Sequence, residues 1–358
     1  MIKAAIIGAT GIVGQQFIAT LYGHPWIKVT TLAASERSAG KLYRESITDS
    51  KTGAFRWYCD EPCDPEVLEI PVQNAQDMDA SNVDLIFSCI ESDQAQILEP
   101  KFAVSKPVIS TASAFRYEKD VPILIPGVNN AQTALLTHQQ KARGWKGFVT
   151  PNPNCTTTGL VISLKPVFDA FGIRLVIVTS MQAVSGAGRN PGVIALDITD
   201  NVIPFIAGEE EKVQKETQKI LGLLSGDEIQ PADFRVSCTC TRVNVLEGHT
   251  ETVYLSTAKP CSPEDVAKVM VDFNPLKGLG LPSAPERMIT VSTDPFRPQP
   301  RLDRNTENGM STTVGRIRKD IALENGIKYV LVSHNTKMGA ARGATLTAEL
   351  LIKQGYIG

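Results

Sequence analysis

The sequence lacks any long hydrophobic run and carries almost no net charge. Its apolar runs, such as residues 175–178, fall far short of the roughly 20 residues that a membrane-spanning helix needs. Lys and Arg total 36 against 38 Asp and Glu in 358 residues, which leaves a formal charge of −2. This balance argues against a polybasic nucleic-acid-binding protein and against a membrane-surface protein. We therefore expect a soluble protein with no nucleic-acid partner and no membrane partner.

Histidine is scarce, and the cysteines do not follow a disulfide-type pattern. The chain has four histidines and seven cysteines. An odd number of cysteines spread over a long chain is typical of free thiols in a reducing compartment. The N-terminus begins with a charge and an apolar stretch, but glycines interrupt it before residue 15, unlike a secretory signal. These features predict a cytoplasmic protein.

A metal site is not expected. Zinc needs several ligands on one side of the ion, and the strongest candidate pair in the sequence is Cys238 and Cys240. On the strand that we predict over 234–245, we expect these two thiols to point to opposite faces of the sheet. The pair therefore does not predict a metal centre, and we assign no metal ligands.

The length indicates two domains, and the first has an α/β pattern. At roughly 150 residues per domain, 358 residues correspond to two units. Up to about residue 150, short apolar runs alternate with polar or helical segments, which is typical of a parallel sheet covered on both faces. The predicted strands lie at 3–7, 27–32, 68–72, 83–88 and 108–111, with helices after the first strand and at 94–102.

Beyond residue 154 the pattern changes to longer, β-rich runs. Alternation with a period of two and few intervening helices indicate an antiparallel or mixed sheet, so the second domain is predicted to be α+β. The predicted strands lie at 173–179, 234–245, 250–256 and 330–332, and the predicted helices at 156–171, 193–203, 209–223, 263–271 and 343–352.

A glycine-rich turn near the N-terminus predicts a dinucleotide site. It follows the first strand and opens a helix, the context in which backbone N–H groups and a helix N-terminus hold a pyrophosphate. The spacing is GxxGxxG rather than GxGxxG, and such a turn also occurs as a simple connection in α/β proteins. Its position directly after the first strand favours the cofactor interpretation. The residues assigned to the cofactor here are Gly8, Thr10, Gly11, Ile12, Val13 and Gly14.

The end of the second strand carries residues that indicate whether the cofactor is NADP or NAD. Arg37 lies between Ser35 and Ser38, a combination that suits a 2′-phosphate and favours NADP. Glu36 lies beside Arg37 and could instead hold the ribose hydroxyl of NAD. We predict NADP and assign Ser35, Arg37 and Ser38 to its 2′-phosphate.

One cysteine and one histidine stand out as reactive. Cys155 follows a Pro-Asn-Pro-Asn loop at the predicted start of a helix, where the helix dipole and free N–H groups can stabilise a thiolate and an oxyanion. Most cysteines are inert small hydrophobic residues, which is our interpretation of the other six. His249 ends a turn after Gly248 and is the best candidate for a base. A thiolate, an imidazole and a nicotinamide cofactor predict hydride transfer through a thiohemiacetal.

Six segments carry a resemblance that runs in order from residue 1 to about residue 350. They are GATGIVG at 8–14, PNPNCT at 151–156, MQAVSGAG at 181–188, GEEEK at 208–212, RVNVLEGHTE at 242–251 and GAARG at 339–343. Together they resemble the aspartate-β-semialdehyde dehydrogenase family, and most of all its archaeal and fungal branch. The combination is specific, although no single segment is.

The resemblance implies roles for the site residues. Cys155 would be the nucleophile, His249 the acid/base and Gln182 the side chain that orients the acyl intermediate. Spacing alone favours a solvated i,i+3 ion pair as the explanation of Glu209 and Lys212. The implied substrate-binding residues are Arg242 for the α-carboxylate, Glu209 for the amino group, Lys212 and Arg116 for the phosphate, and Asn154.

The resemblance also implies the remaining cofactor contacts and the domain division. Ser185, Gly186, Gly188 and Asn335 would line the nicotinamide. The last helix would then pack back on a Rossmann-like NADP-binding domain of residues 1–150 and 337–358. Residues 151–336 would form an α+β catalytic and dimerisation domain with a mixed sheet. Members of the family are homodimers or homotetramers.

The implied reaction is the reversible conversion of L-4-aspartyl phosphate and NADPH into L-aspartate-4-semialdehyde, phosphate and NADP⁺. In that direction Cys155 displaces phosphate to give a thioester, and His249 protonates the thiohemiacetal as it collapses. The aldehyde would feed threonine, methionine or lysine biosynthesis. Rival interpretations are a malonyl-CoA or succinyl-CoA reductase on the same scaffold, N-acetylglutamyl-phosphate reductase, and a non-catalytic NADP-binding redox sensor.

Overall fold

The first 151 residues form a parallel sheet with helices on both faces. The computed structural model describes residues 1–188 and 192–358. The strands are β1 Ile2–Ile7, β2 Ile27–Ala34, β3 Val72–Asn74, β4 Leu85–Ser88, β5 Pro107–Ser110 and β6 Phe148–Pro151. The helices are α1 Ile12–Leu21, α2 Tyr43–Ser46, α3 Pro65–Leu68, α4 Ser92–Ala103 and α5 Leu135–Arg143. Every neighbouring pair in the order β3-β2-β1-β4-β5-β6 is parallel, which is the Rossmann arrangement and confirms the prediction.

The apolar run of β1 is explained by burial on both faces. Ala4 and Ile6 share an apolar cluster with Phe17 of α1. Ala5 and Ile7, which point the other way, lie in a second cluster that includes residues of α4. Because helices cover both faces, β1 has no solvated side and needs no polar alternation.

The second half of the chain forms a mixed sheet. Its strands are β7 Ile173–Gln182, β8 Val202–Ile203, β9 Leu223–Ser225, β10 Glu228–Gln230, β11 Arg235–Val243, β12 His249–Thr257, β13 Ile289–Ser292, β14 Thr312–Lys319 and β15 Gly326–Ser333. Its helices are α6 Cys155–Phe171, α7 Ala195–Ile198, α8 Glu209–Ile220, α9 Pro263–Asp272, α10 Pro300–Asp303 and α11 Arg342–Lys353. The order is β13-β14-β15-β12-β7-β11-β8, and β9 and β10 form a separate hairpin. Parallel and antiparallel pairs both occur, as predicted.

The longest helix described, α6, is part of the core of the second sheet. Its 17 residues include Leu160 and Leu164, which lie in one apolar cluster with Val178 and Leu331 of the sheet. The opposite face of the sheet is less covered, since Ile177 of β7 is 40% exposed. Over residues 1–188 and 192–358, no helix is both long and apolar enough to cross a membrane.

The C-terminal helix returns to the first sheet. Ala344, Ala348 and Leu351 of α11 share an apolar cluster with Ala4 and Phe17. This packing brings the preceding segment, a single π-helical turn at Lys337–Ala341, to the start of α6. The division of the chain at residues 150 and 337 remains a prediction.

Two local predictions were wrong. The strand predicted at 68–72 is preceded by a short helix, because Asp64 caps α3 by accepting a hydrogen bond from Glu66 N and Pro65 occupies its first turn. β3 therefore begins only at residue 72. The helix predicted at 193–203 is limited to α7, because Asp200 adopts φ +56° and the chain then pairs as β8 with β11.

Candidate active site

The reactive cysteine begins a helix whose capping residue is also a site residue. Asn154 caps α6, and its Oδ1 accepts hydrogen bonds from Thr156 N at 2.9 Å and Thr157 N at 3.1 Å. Cys155 is the first residue of α6 and lines a cleft of about 750 Å³ between the two sheets. A Cβ at Gly339 would lie 3.0 Å from the Cys155 Cβ, so glycine allows the Lys337–Ala341 segment to pack closely against the nucleophile.

The fold brings His249 to this cysteine from the second sheet. His249 is the first residue of β12 and is fully buried. Its Nε2 lies 3.2 Å from Cys155 Sγ, and its Nδ1 accepts a hydrogen bond from Ala183 N at 3.1 Å. Because a backbone N–H donates to Nδ1, the proton of the neutral imidazole lies on Nε2, facing the sulfur.

Burial keeps both groups neutral in the ligand-free protein. It raises the pKa of the Cys155 thiol to about 12, and the nearby Glu209 carboxylate acts in the same direction. The cationic Arg242 and Arg116 oppose this rise in pKa. Burial lowers the pKa of His249 to about 3, with Arg242 contributing. Desolvation therefore outweighs the two arginines and the Thr156 N–H, which favour the thiolate predicted at the start of α6.

Alkylation of Cys155 should therefore depend on pH across the whole alkaline range. A thiol with a raised pKa stays protonated at neutral pH, and its reactive thiolate fraction grows about tenfold per pH unit below that pKa. We expect the iodoacetamide rate of Cys155, followed by mass spectrometry of its peptide, to rise without a plateau up to pH 10. Glutathione in the same tube serves as a thiol of ordinary pKa. A plateau for Cys155 between pH 6 and 7 would contradict this assignment.

Glu209 organises the polar end of the cleft. It is the first residue of α8 and is buried. Its Oε1 accepts hydrogen bonds from Asn154 Nδ2 at 2.7 Å and from Gln182 Nε2 at 3.1 Å. Its Oε2 lies 3.7 Å from Lys212 Nζ. The carboxylate thus contacts three other predicted site residues, which goes beyond a solvated surface ion pair.

Arg242 reaches the same region from the strand beside β7. It is the register partner of Gln182, and its Nη1 donates to Ala183 O at 2.8 Å. A Cβ at Gly186 would lie 2.9 Å from Arg242 Nη1 and 3.1 Å from His249 Cε1. A glycine is therefore required between the two side chains. β7 lies between β11 and β12, so Arg242 and His249 belong to non-adjacent strands.

Arg116 enters the cleft from the first sheet. It is buried, and its guanidinium donates from Nη1 to Glu216 Oε1 at 2.9 Å and from Nη2 to Thr111 O at 3.2 Å. Its Nε has no hydrogen-bond partner among the described residues. A buried guanidinium with an unused N–H is suited to an anion.

The glycine turn packs backbone segments closely together and leads into a helix with an uncapped N-terminus. Gly8 adopts φ +83°, and a Cβ there would lie 2.3 Å from Cys89 O. A Cβ at Gly14 would lie 2.4 Å from Gly8 O, so these glycines allow close packing of backbone segments. Ile12 and Val13 line the cleft. α1 has neither a side-chain cap nor an acidic residue in its first turn, which leaves its N-terminus available to a phosphate.

The predicted nicotinamide contacts lie together beside Cys155. Ser185, Gly186, Gly188 and Asn335 all line the cleft. Asn335 is fixed there, because its Nδ2 donates to Ser185 Oγ at 2.8 Å and its Oδ1 accepts from Gly248 N at 2.9 Å.

The predicted 2′-phosphate residues lie apart from the cleft, at the carboxyl end of β2. Ser35 and Arg37 are exposed, and Ser38 is buried in the same turn. The turn adjoins the glycine turn, because Ala33 O accepts hydrogen bonds from the N–H groups of residues 8 and 9. Lys41, which sequence reasoning missed, donates to Arg37 O at 3.1 Å. It adds a second cation to this surface.

Two further polar residues of α8 were also missed. Glu216 is fully buried and contacts both Arg116 and the Asn154 backbone. Lys219 donates to Arg116 O at 2.8 Å. A signal for Glu216 was present, because residues seven apart on a helix share a face and Glu209 was already assigned.

Within the described part of the chain, no group of three or more His, Cys, Asp or Glu could hold a metal ion. The prediction that the Cys238 and Cys240 thiols point to opposite faces of the sheet was nevertheless wrong. Residues two apart on a strand point to the same face, and both cysteines are buried on the side of β11 that faces α8. Cys238 Sγ contacts Glu210 O at 3.2 Å, and Cys240 N donates to the Glu210 side chain at 3.0 Å.

Two protein-family models match the chain in succession. The family described as semialdehyde dehydrogenase, NAD binding domain, matches residues 3–136. The family described as semialdehyde dehydrogenase, dimerisation domain, matches residues 164–338. The first match spans β1 to β5 of the parallel sheet, and the second spans every strand of the mixed sheet.

Relatives from archaea and fungi cover nearly the whole chain. Aspartate-semialdehyde dehydrogenase from Archaeoglobus fulgidus is 49% identical, with 99% of both chains covered. The Schizosaccharomyces pombe enzyme of the same name is 42% identical, again with 99% of each covered. The crystal structure of the Candida albicans enzyme with NADP is similar, with a TM-score of 0.89 at 38% identity and 99% coverage of both chains.

Proposed function

This chain belongs to the aspartate-semialdehyde dehydrogenase family, and we propose that it catalyses the reaction for which the family is named. It is an NADP-dependent oxidoreductase of amino-acid biosynthesis. The reaction is the reversible conversion of L-4-aspartyl phosphate and NADPH into L-aspartate-4-semialdehyde, phosphate and NADP⁺, through a thioester on Cys155.

The observation that carries this proposal is the contact between the nucleophile and the imidazole. Cys155 Sγ and His249 Nε2 lie 3.2 Å apart at the wall of a cleft that also contains Arg242, Glu209 and Arg116. The site thus combines a thiol, an imidazole N–H donor, two guanidinium groups and a carboxylate. These groups match an acyl compound that carries a carboxylate, an ammonium and a phosphate.

The protein's own groups account for the covalent steps. In the reductive direction the Cys155 sulfur forms a bond to the acyl carbon as the carbon–oxygen bond to phosphate breaks, and the thiol proton leaves with the departing phosphate, which gives a thioester and free phosphate. When bound, NADPH supplies the hydride that reduces this thioester. His249 Nε2–H donates a hydrogen bond to the oxyanion and then to the thiolate as the carbon–sulfur bond breaks and the aldehyde leaves, and the thiolate then takes a proton from water to regenerate the thiol. The N–H groups at the start of α6 are positioned to share the oxyanion charge.

The substrate contacts follow from charge and position. We assign the α-carboxylate to Arg242, whose guanidinium can form two parallel hydrogen bonds with it. Glu209 takes the ammonium group and Gln182 the acyl oxygen, while Asn154 holds the Glu209 carboxylate. Lys212 and Arg116 bind the phosphate.

The residues present fit NADP. The uncapped N-terminus of α1 suits the pyrophosphate, and the turn after β2 offers Arg37, Lys41 and two serines to a 2′-phosphate. The segment 185–188 and Asn335 line the same cleft as Cys155, which supports their assignment to the nicotinamide.

Phosphate-dependent reduction of NADP⁺ by aspartate semialdehyde tests the proposed function. The expected result is an increase in absorbance at the NADPH wavelength that requires both phosphate and the aldehyde. In parallel reactions, NADPH oxidation by malonyl-CoA, succinyl-CoA and N-acetylglutamyl phosphate should be absent or much slower. Turnover only with a thioester donor would assign the chain to the CoA reductases instead. Binding of NADPH without any turnover would indicate the redox sensor.

The Arg37→Ala variant should lose NADPH affinity selectively. Removing a cation from the 2′-phosphate surface is expected to weaken NADPH by about tenfold or more, while NADH binding changes by less than about twofold. Fluorescence titration of both reduced cofactors measures this. Lys51→Ala, which removes an exposed cation from the same domain, is the control and should affect neither. Equal losses for NADPH and NADH in Arg37→Ala would contradict the assignment.

We also propose a cytoplasmic homodimer or homotetramer. The free state of all seven cysteines fits a reducing compartment. The less covered face and edge of the mixed sheet carry Ile177 of β7 and Val202 of β8, which are 40% and 55% exposed. Apolar side chains exposed at this level on one sheet are typical of a subunit interface. Sedimentation velocity of the purified protein measures its oligomeric state.

A further inference from the structure

One buried carboxylate on α8 contacts two parts of the site that are far apart in the sequence. Glu216 Oε1 accepts from Arg116 Nη1 at 2.9 Å, and Glu216 Oε2 accepts from Asn154 N at 2.6 Å. Arg116 follows β5 of the parallel sheet, whereas Asn154 directly precedes the nucleophile at the start of α6. Glu216 therefore joins the proposed phosphate-binding arginine to the turn that carries Cys155.

The contacts of Glu216 hold its carboxylate in one orientation. Its side chain is fully buried, and both carboxylate oxygens accept hydrogen bonds. Burial raises its pKa, while the Arg116 guanidinium and the Asn154 N–H act in the opposite direction. A buried carboxylate of this kind is tolerated only when both oxygens are paired.

The rest of α8 reinforces the same arrangement. Lys219, one turn further along, donates from Nζ to Arg116 O at 2.8 Å and to Glu118 O at 2.7 Å. Glu209, two turns before Glu216, holds the Asn154 side chain. One face of α8 thus fixes both the backbone and the side chain of Arg116, and both the backbone and the side chain of Asn154.

We propose that Glu216 is a positioning residue that orients Arg116 for phosphate and fixes the turn before the nucleophile. Because Glu216 holds Nη1 and Thr111 O holds Nη2, the guanidinium plane of Arg116 is fixed where this residue lines the cleft. Glu216 itself is fully buried and does not line the cleft, so it is not placed to contact a substrate. Its effect on the reaction acts through Arg116 and Asn154, and the proposal rests on the phosphate-dependent reaction proposed above.

The Glu216→Gln variant tests this role. A glutamine amide presents one acceptor and one NH₂ group, so it cannot accept from both Arg116 and Asn154. We expect the Michaelis constant for inorganic phosphate in the oxidative direction to rise at least about fivefold. The Michaelis constant for the semialdehyde, whose proposed carboxylate contact is Arg242, should change by less than about twofold. Phosphate protection of Cys155 against iodoacetamide should weaken by the same factor, without turnover.

Glu211→Gln is the matched control, because Glu211 is exposed on the same helix. It should leave both Michaelis constants unchanged. A phosphate constant in Glu216→Gln equal to that of the wild type overturns the proposal. A lower phosphate constant also overturns it, since Glu216 would then only neutralise the charge of Arg116. Wild-type protein without phosphate-dependent turnover would instead refute the proposed function.

A double variant keeps the test valid if Glu216→Gln does not fold. Arg116→Gln combined with Glu216→Gln leaves no unpaired buried charge in this cluster. If Glu216 acts on phosphate through Arg116, the double variant and Arg116→Gln alone should have phosphate constants within about twofold of each other. A further loss of about fivefold or more in the double variant would show a separate route and overturn the proposal.

Discussion

Cys155→Ser is expected to lower phosphate-dependent semialdehyde oxidation by about 10⁴-fold or more while the protein still folds and binds NADPH. Serine is nearly isosteric, so the cap of α6 and the cleft should persist. Its hydroxyl, however, is far harder to ionise than a thiol. His249 cannot compensate, because burial holds its pKa at about 3 and its Nδ1 is occupied by the Ala183 N–H.

Cofactor binding and turnover are measured on the same preparation of this variant. NADPH fluorescence should give a dissociation constant close to that of the wild type, and NADP⁺ reduction should be at background. Cys261→Ser is the control, since Cys261 is a half-buried cysteine that does not line the cleft. It should retain full activity. Activity in Cys155→Ser above about a tenth of the wild-type rate would exclude Cys155 as the nucleophile.

Arg242→Lys should give the second largest effect, as a rise in the Michaelis constant for semialdehyde. Arg242 Nη1 is already engaged with Ala183 O at 2.8 Å, so the remaining N–H groups are those that can hold a carboxylate. A lysine ammonium is a single point charge and cannot contact the carbonyl and both carboxylate oxygens together. We expect kcat/KM to fall about 100-fold, mostly through KM.

The matched control for this substitution is on the same strand. Arg235→Lys changes an exposed arginine at the other end of β11 and should leave the kinetics unchanged. Initial rates at varied semialdehyde and saturating phosphate separate KM from kcat. An Arg242→Lys enzyme with wild-type KM would move the carboxylate site to another cation, for example Lys212.

Local features of the fold were predictable where neighbouring residues carry the signal. The glycine turn after β1, the start of α6 at its Asn cap and the alternation in β12 all depend on hydrogen bonds or side-chain directions within a few residues. Predictions failed where distant contacts decide the outcome. β8 forms because the chain pairs with β11 about 40 residues later, and no pattern inside 193–203 reveals that partner.

The site residues divide in the same way, into those that local sequence indicated and those that depend on distant contacts. Sequence patterns alone marked Cys155 and His249 as reactive candidates, whereas roles such as those of Arg242 and Glu209 were taken from the family resemblance. The connection between Arg116 and Asn154 was not visible, because it depends on Glu216, 100 residues after the first and 62 after the second.

The sequence by itself determined which chemical groups are available. They are the reactive sulfur at a capped helix start, a glycine turn that opens a helix after the first strand, and charges that match a small zwitterionic phosphate. These depend on side-chain chemistry and short-range backbone bonding, which adjacent residues specify. Only the tertiary structure decided that Cys155 and His249, 94 positions apart, meet at 3.2 Å, and that both are neutral before ligands bind. Distance and desolvation are set by how the whole chain packs, so no local pattern encodes them.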